Sequence, residues 1–199
     1  IFTRCFEDQP EVESVDRGVR LLRVPCGGRE FIPKEHLYKN IPEWSQRALR
    51  RLRAWDLEYS AVISHYWDAG LAGVSLSTWL QLPHLHVPHS LGAWKRDTTP
   101  GNVESLEKKF NFSGRIVAER ALYRKCRRVV ATTPQQQEYL LGTRYRLHPR
   151  RVTVIPPGYD DERFFPVSGE CRSRIRARLG FQGPTVLALG RIADNKGYD

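Results

Sequence analysis

Two short stretches hold the residues whose types and spacing suit chemistry. Ser64-His65-Tyr66-Trp67-Asp68 follows the apolar run Ala61-Val62-Ile63, and Pro88-His89-Ser90 follows the apolar run Leu82 to Val87. Imidazoles exchange protons near neutral pH, and Tyr and Ser hydroxyls donate hydrogen bonds to anions and sugars. Gly92 and Lys95 come next, and a glycine-bearing turn with a lysine just beyond it can bring backbone N–H groups and a cation to an anionic ligand. A single His after a strand is more often a hydrogen-bonded structural residue than a ligand. Two polar clusters at equivalent strand ends favour a shared cleft, with His65, Tyr66, His89 and Ser90 facing it.

The elements between them must do the positioning. The stretch 71–80 places apolar Leu71, Val74, Leu76 and Leu80 beside small Ala69, Ala72 and Gly73, which suits a helix lying close on a sheet. Strand, helix and strand then form one unit of an α/β fold with a parallel sheet, in which ligands sit at the carboxyl ends of the strands. Val19 to Pro25 reads as a strand in the middle of a sheet, broken by Cys26-Gly27-Gly28, and the following loop carries Lys34. Ile41 to Ala54 reads as a helix, and the stretch after Lys95 as turn-rich. Val103 to Lys125 has a helical pattern interrupted by Asn111-Phe112-Ser113-Gly114, with Leu106, Phe110, Ile116, Val117, Ala121 and Leu122 as candidate buried positions. Arg115 and Glu119 stand four apart, the spacing of a helix ion pair. A strand over 128–133 leads into a helix with Thr133 as N-cap, Pro134 in the first turn and Gln136 as N3 partner. Arg151 to Pro156 closes the first domain.

The segment from Gly158 to Pro166, rich in Pro and aromatic residues, is read as the domain crossing, giving domains 1–165 and 166–199. In the second, a short helix ended by Gly180 and a strand over Thr185 to Leu189 lead into Gly190-Arg191-Ile192-Ala193-Asp194-Asn195-Lys196-Gly197. Glycines flanking Arg and Lys let the backbone and two cations approach a diphosphate together. The loop has neither Walker spacing nor a GxGxxG pattern.

Composition narrows the class. The 199 residues carry 32 Lys and Arg against 22 Asp and Glu, a formal net charge of +10, and 40% of them are hydrophobic. Such a chain can bury a core, and its basic balance suits nucleic acid, acidic membranes or phosphorylated small molecules. The arginines are dispersed along helical stretches, and no nucleic-acid signature appears. Four cysteines without metal-like spacing point to a reducing cytoplasm, and no apolar run reaches membrane-spanning length. With no methionine and an α/β unit unfinished at residue 199, the chain reads as a segment of a longer protein, cut at both ends.

Taken together, VTVIPPGYDDERFFP and LALGRIADNKG resemble the interdomain segment and donor-phosphate loop of retaining glycosyltransferases with the GT-B fold, two Rossmann-like domains. FIPKEHLYKNIPEW, SHYWDAGLAG and PHSLGAWK are similar to the sucrose-phosphate synthases and, in the last two stretches, more closely to the mannosylfructose-phosphate synthases. The resemblance implies transfer of a hexosyl group from GDP-mannose or UDP-glucose to a sugar phosphate, most simply fructose 6-phosphate. It puts the donor diphosphate on Arg191 and Lys196, the transferred sugar beside His89, and the acceptor phosphate on Lys34, Tyr66, Ser90, Lys95 and Arg115. It also implies front-face attack by the acceptor hydroxyl. Cations that stabilise the departing diphosphate leave no required cofactor; Mg2+ is compatible with such a site but not indicated, and no metal ligands are assigned. Expected partners are the nucleotide-sugar donor, the sugar-phosphate acceptor and a downstream sugar phosphatase, with no nucleic acid. Two other readings stay open on sequence alone: a nucleotide-sugar epimerase, which would share the donor site, and a basic nucleic-acid-binding module.

Overall fold

The computed structural model describes residues 1–33, 36–55, 58–190 and 192. It divides into two compact units, Ile1–Pro157 and Gly158–Asp199. Within the first, β4 (Val62–His65), β5 (His84–Val87), β6 (Arg128–Ala131) and β7 (Val152–Val154) form a four-stranded, all-parallel sheet in that order. α2 (Trp67–Leu80) is the crossover between β4 and β5, as the spacing of its small residues predicts. Its glycines explain how close it lies. A Cβ on Gly73 would stand 2.5 Å from His84 Nε2, and one on Gly70 would stand 2.4 Å from Leu122 Cδ2 and 2.7 Å from His86 Cε1.

Those two imidazoles belong to a buried polar chain in the body of the sheet. Ser64 Oγ lies 2.7 Å from His84 Nε2 and 2.8 Å from His86 Nδ1, and His84 Nδ1 lies 3.4 Å from Cys126 Sγ. The thiol of Cys126 donates to the Leu122 carbonyl at 3.2 Å, and burial pushes its pKa up to about 12, so it stays protonated. The proton on each remaining partner follows in turn: His84 donates to sulfur, Ser64 to His84, and His86 to Ser64. His86 Nε2 is then a bare lone pair, and it is buried without a partner. Burial holds His84 near pKa 4 and His86 near 3, so both rings are neutral.

A second sheet of three strands comprises β1 (Phe2–Cys5), β2 (Val12–Asp16) and β3 (Val19–Pro25). β3 is central, as its branched apolar content predicts, pairing with β1 in parallel and with β2 antiparallel. β1 and β2 have no expectation from the sequence. β2 is exposed along its length and β1 is at most half-buried, so neither carries the alternation that marks a strand. α1 (Ile41–Ala54) packs Ala48 and Leu52 against Leu22 and Val24 of β3. Its arginines form an exposed face on which Arg47 pairs with Glu43, and Arg51 with Glu11.

Several expectations need correction. The pattern from Val103 to Lys125 is two helices, α4 (Val103–Phe110) and α5 (Phe112–Lys125), broken at Asn111. Asn111 takes a left-handed conformation, φ 49°, closing α4 while its side chain accepts the Gly114 N–H to open α5. The buried stripe of α5 is Phe112, Arg115, Ile116, Glu119, Leu122 and Tyr123, whereas Val117 is 65% exposed and Ala121 is also outward. The residues after Lys95 are not all turn: Gly92–Thr98 is a short helix, α3. Thr133 caps α6 (Pro134–Leu141), accepting from Gln136 N at 3.1 Å as predicted.

In the second unit, Asp160 caps a turn by accepting from the Glu162 and Arg163 amides. α7 (Gly169–Arg178) is capped by Ser168 and followed by Gly180 at φ 75°. Thr185 to Leu189 does not form the expected strand. A strand exists by pairing its backbone groups, and among the described residues none pairs there; Val186 is 96% exposed.

Candidate active site

The carboxyl ends of β4 and β5 lie side by side, with His65 opposite Val87 in the register and the Tyr66 amide donating to the Val87 carbonyl. Immediately beyond, Tyr66 (φ 74°) and His89 (φ 57°) both take positive φ, which costs a residue with a β-carbon about 1 kcal/mol or more and turns its side chain away from the strand direction. That paired deviation is what converts two strand ends into one cluster.

At its centre is Arg115, brought in from α5 and only 5% exposed. Its Nη1 donates to Tyr66 Oη at 3.1 Å; its Nη2 donates to the Ser90 carbonyl at 2.7 Å and to Ser90 Oγ at 3.1 Å. The guanidinium also stands 5.0 Å from the centre of the Tyr66 ring. Burial, the largest single influence, lowers the pKa of Arg115, but the facing Glu119 carboxylate together with Tyr66 and Tyr123 outweighs it and raises the pKa. Arg115 is therefore a permanent buried cation.

Glu119, with no exposed surface, is the counter-ion. It accepts Arg115 Nε at 2.7 Å and the Gly92 amide at 3.0 Å, and also the hydroxyl of Tyr145, which itself accepts the Ala93 amide at 3.1 Å. One carboxylate thus holds the arginine and the first residues of α3 together. Gly92 is required at that contact, since a Cβ there would stand 3.0 Å from Glu119 Oε2. The four-residue spacing predicts the ion pair and the resemblance puts Arg115 on the acceptor phosphate, but neither predicts that the pair is buried and shared with Gly92 and Tyr145. The legible signal was the four-residue spacing itself, on a helix where apolar residues alone do not complete a stripe.

The hydrogen-bond inventory of the cluster is lopsided. Tyr66 Oη and Ser90 Oγ accept from Arg115, so their own protons remain to be donated. Arg115 has five N–H groups, and the contacts above engage four of them. What faces a ligand is a set of donors around a cation, the complement of a phosphate.

His89 and Ser90 continue into a cleft of about 240 Å³ that also has Trp94, Lys95 and Gln136 in its wall. Trp94 is fixed by stacking on Tyr139, with ring centres 5.7 Å apart and planes at 18°. His65 Nδ1 and His89 Nε2 lie 2.8 Å apart with the ring planes 30° from parallel, and burial followed by the nearby His65 lowers the pKa of His89. On the first turn of α2, burial raises the pKa of Asp68, a residue the sequence reading gave no role. Of the residues singled out from sequence, the structure gathers Tyr66, Ser90 and Arg115 around one guanidinium and His89, Ser90 and Lys95 around one cleft. Lys34, Arg191 and Lys196 lie outside the described residues. Among the described residues, no group of three His, Cys, Asp or Glu side chains is arranged to hold a metal ion, and no helix is long and apolar enough to cross a membrane.

Comparison with known proteins gives the family and the fold. Mannosylfructose-phosphate synthase of Agrobacterium fabrum is 53% identical over 203 aligned positions, which take in all of this chain and 44% of that protein. A D-inositol 3-phosphate glycosyltransferase of Xylanimonas cellulosilytica is 31% identical, covering 100% of the chain and 48% of the relative. A probable sucrose-phosphate synthase of Thermosipho melanesiensis is 30% identical over 83% of the chain and 39% of its own length. The chain thus spans less than half the length of these relatives. Sucrose-phosphate synthase from Thermosynechococcus elongatus superposes with a TM-score of 0.74 over 90% of the chain and 41% of that structure; at 24% identity this likeness speaks for the fold, the Rossmann-like α/β unit of a GT-B protein. The model of the glycosyl transferase 4-like domain matches residues 1–158, and the chain belongs to that family.

Proposed function

We propose that the protein is a retaining glycosyltransferase that moves a hexosyl group from a nucleotide sugar, GDP-mannose or UDP-glucose, to fructose 6-phosphate, as its likeness to mannosylfructose-phosphate synthase suggests. The observation that carries this reading is the donor-only cluster of Tyr66, Ser90 and Arg115 at the strand ends, which suits the acceptor's phosphate. Lys34 and Lys95 complete the grip. With the phosphate fixed, the acceptor hydroxyl is presented to the anomeric carbon of the donor, beside His89. Its oxygen bonds to that carbon as the bond to the diphosphate breaks on the same face, and its proton passes to the departing diphosphate oxygen. Arg191 and Lys196 stabilise the charge that develops there, so the step needs no metal. The reaction belongs in the cytoplasm, where both substrates are made, with a sugar phosphatase consuming the product.

The test uses the full-length protein with each donor and with fructose 6-phosphate or fructose. Nucleoside diphosphate release should need the phosphorylated acceptor. Arg115→Lys, which keeps a cation beside Glu119 but loses the forked N–H contacts, should raise the acceptor KM by roughly ten- to a hundredfold, the worth of one charge-assisted contact, with donor hydrolysis almost unchanged. Replacing Arg191 or Lys196 should instead lower kcat and kcat/KM together. No release with any pairing of donor and sugar phosphate would sink the reading. A preference for UDP-glucose would favour the alternative, a sucrose-phosphate synthase.

A further inference from the structure

The histidines at the two strand ends touch each other, and His89 also lines the cleft. We propose that His65 is a positioning residue for His89: by a single ring-to-ring hydrogen bond it fixes the rotation and tautomer of His89, so that Nδ1 of His89 is presented as a bare lone pair to a hydroxyl of the transferred sugar. The inference rests on the reading above that His89 lies beside that sugar.

The contact is well defined. His65 Nδ1 and His89 Nε2 are 2.8 Å apart, and the ring centres are 5.1 Å apart with planes 30° from parallel, the edge-to-edge arrangement of a direct ring-to-ring hydrogen bond. At that distance one N–H must lie between the two nitrogens, since two lone pairs or two N–H groups would repel. The backbone leaves little slack: β4 and β5 are in register at this point, and the Tyr66 amide is tied to Val87. His89 is held at φ 57° in a turn closed by the Ser90 amide on the Pro88 carbonyl. A ring on such a turn would otherwise be free to rotate about χ1 and χ2.

Two proton arrangements satisfy the bond. If His65 donated, both rings would have to carry hydrogen on Nδ1, the less favoured tautomer of a neutral imidazole. If His89 donates from Nε2, both rings adopt the favoured Nε2–H form. The second arrangement leaves His89 Nδ1 unprotonated, and with Nε2 engaged it is the ring nitrogen left for the cleft that His89 lines. A hydrogen-bond acceptor fixed there can take the proton of a sugar hydroxyl and hold the hexose for attack.

Three variants of the full-length enzyme and one spectrum test this. His65→Phe keeps an aromatic ring in place but removes the bond, and should lower kcat roughly ten- to a hundredfold with the acceptor KM within about twofold, because the phosphate grip is separate. His65→Asn places an amide oxygen where Nδ1 stood and should recover much of the loss. Ring 15N spectra of the substrate-free enzyme should show His89 with a bare Nδ1 and a protonated Nε2, and the His65→Phe spectrum should show a solvent-averaged tautomer mixture. Wild-type kinetics in His65→Phe, equal losses in the Phe and Asn variants, or a protonated Nδ1 in the wild type would each overturn the proposal. His89→Ala separates the two levels. If it is inactive while His65→Phe is not, the positioning role alone fails; if it transfers normally, the placement of the sugar at His89 fails and takes this inference with it.

Discussion

Strands β4 and β5 carry two pairs of histidine contacts, and their environments are opposite. His84 and His86 lie in the body of the sheet, under the glycines of α2, neutral and joined through Ser64. His65 and His89 lie at or just past the strand ends, exposed and joined directly to each other. The interior pair has three of its four ring nitrogens engaged by Ser64 and Cys126, and the fourth, His86 Nε2, is buried without a partner, so the pair organises the packing of helix on sheet. The terminal pair sits where the chain leaves the ladder and the backbone takes positive φ, so side chains there are directed by turns. Residue type alone does not separate structural from ligand-facing histidines. Position along a parallel strand does.

Glu119 offers the largest test of that division, because it is as buried as the interior network yet serves the terminal cluster. Replacing it with Ala leaves the Arg115 cation buried without a counter-ion and the Gly92 amide and Tyr145 hydroxyl without their acceptor. The expected loss is about 3–5 kcal/mol of folding stability, read by urea unfolding. Glu119→Gln keeps one acceptor oxygen and should lose less. If Glu119→Ala unfolds within about 0.5 kcal/mol of wild type, the pair is behaving like an exposed helix pair and the buried arrangement is wrong.

Acid should act on the interior pair next. His84 and His86 have folded-state pKa values near 4 and 3, against about 6.5 in an unfolded chain. The unfolded state therefore binds more protons below pH 6.5. The stability these neutral rings contribute is complete above that value and is lost as pH falls towards 4. With each ring worth up to about 1.4 kcal/mol per pH unit, stability should drop by about 2–3 kcal/mol between pH 6 and 5. A His84→Asn, His86→Asn double variant should flatten that slope. A flat wild-type profile from pH 6.5 to 4.5 would show that the interior rings ionise freely.

How much of this was legible follows the same line. Wherever apolar spacing and turn chemistry agree, the sequence is explicit: β3 to β6, α1, α2 and the Thr133-Pro134-Gln136 start of α6 all follow from it. It misleads on α5. The apolar residues Val117 and Ala121 suggest one face, whereas the true stripe passes through Arg115 and Glu119, whose charges cancel only once they meet in the interior. Asn111 was visible as an interruption, but its double service as cap of two helices depends on a left-handed backbone that no spacing reveals. The Tyr66, Ser90 and Arg115 cluster joins residues up to 49 apart in sequence; strand-end position puts Tyr66 and Ser90 in one cleft, and only the resemblance to known transferases adds Arg115. The bond between His65 and His89 needed the strand register.

The finest test is a pair of serines. Ser64 touches two side chains and Ser90 one: Ser64 lies in the interior between His84 and His86, Ser90 at the strand end against Arg115. Removing the Ser64 hydroxyl leaves two buried ring nitrogens without partners, so Ser64→Ala should cost about 1–3 kcal/mol of stability. Its acceptor KM should stay near wild type. Ser90→Ala loses one donor to the phosphate but retains the carbonyl that anchors Arg115 Nη2, so its stability should change by less than about 0.5 kcal/mol. Its acceptor KM should rise roughly fivefold, the worth of about 1 kcal/mol. Crossed effects of this kind would sharpen the contrast between the two regions. If Ser64→Ala instead moved the acceptor KM at unchanged stability, the interior network would have to reach the ligand, and the division drawn between strand body and strand end would fail.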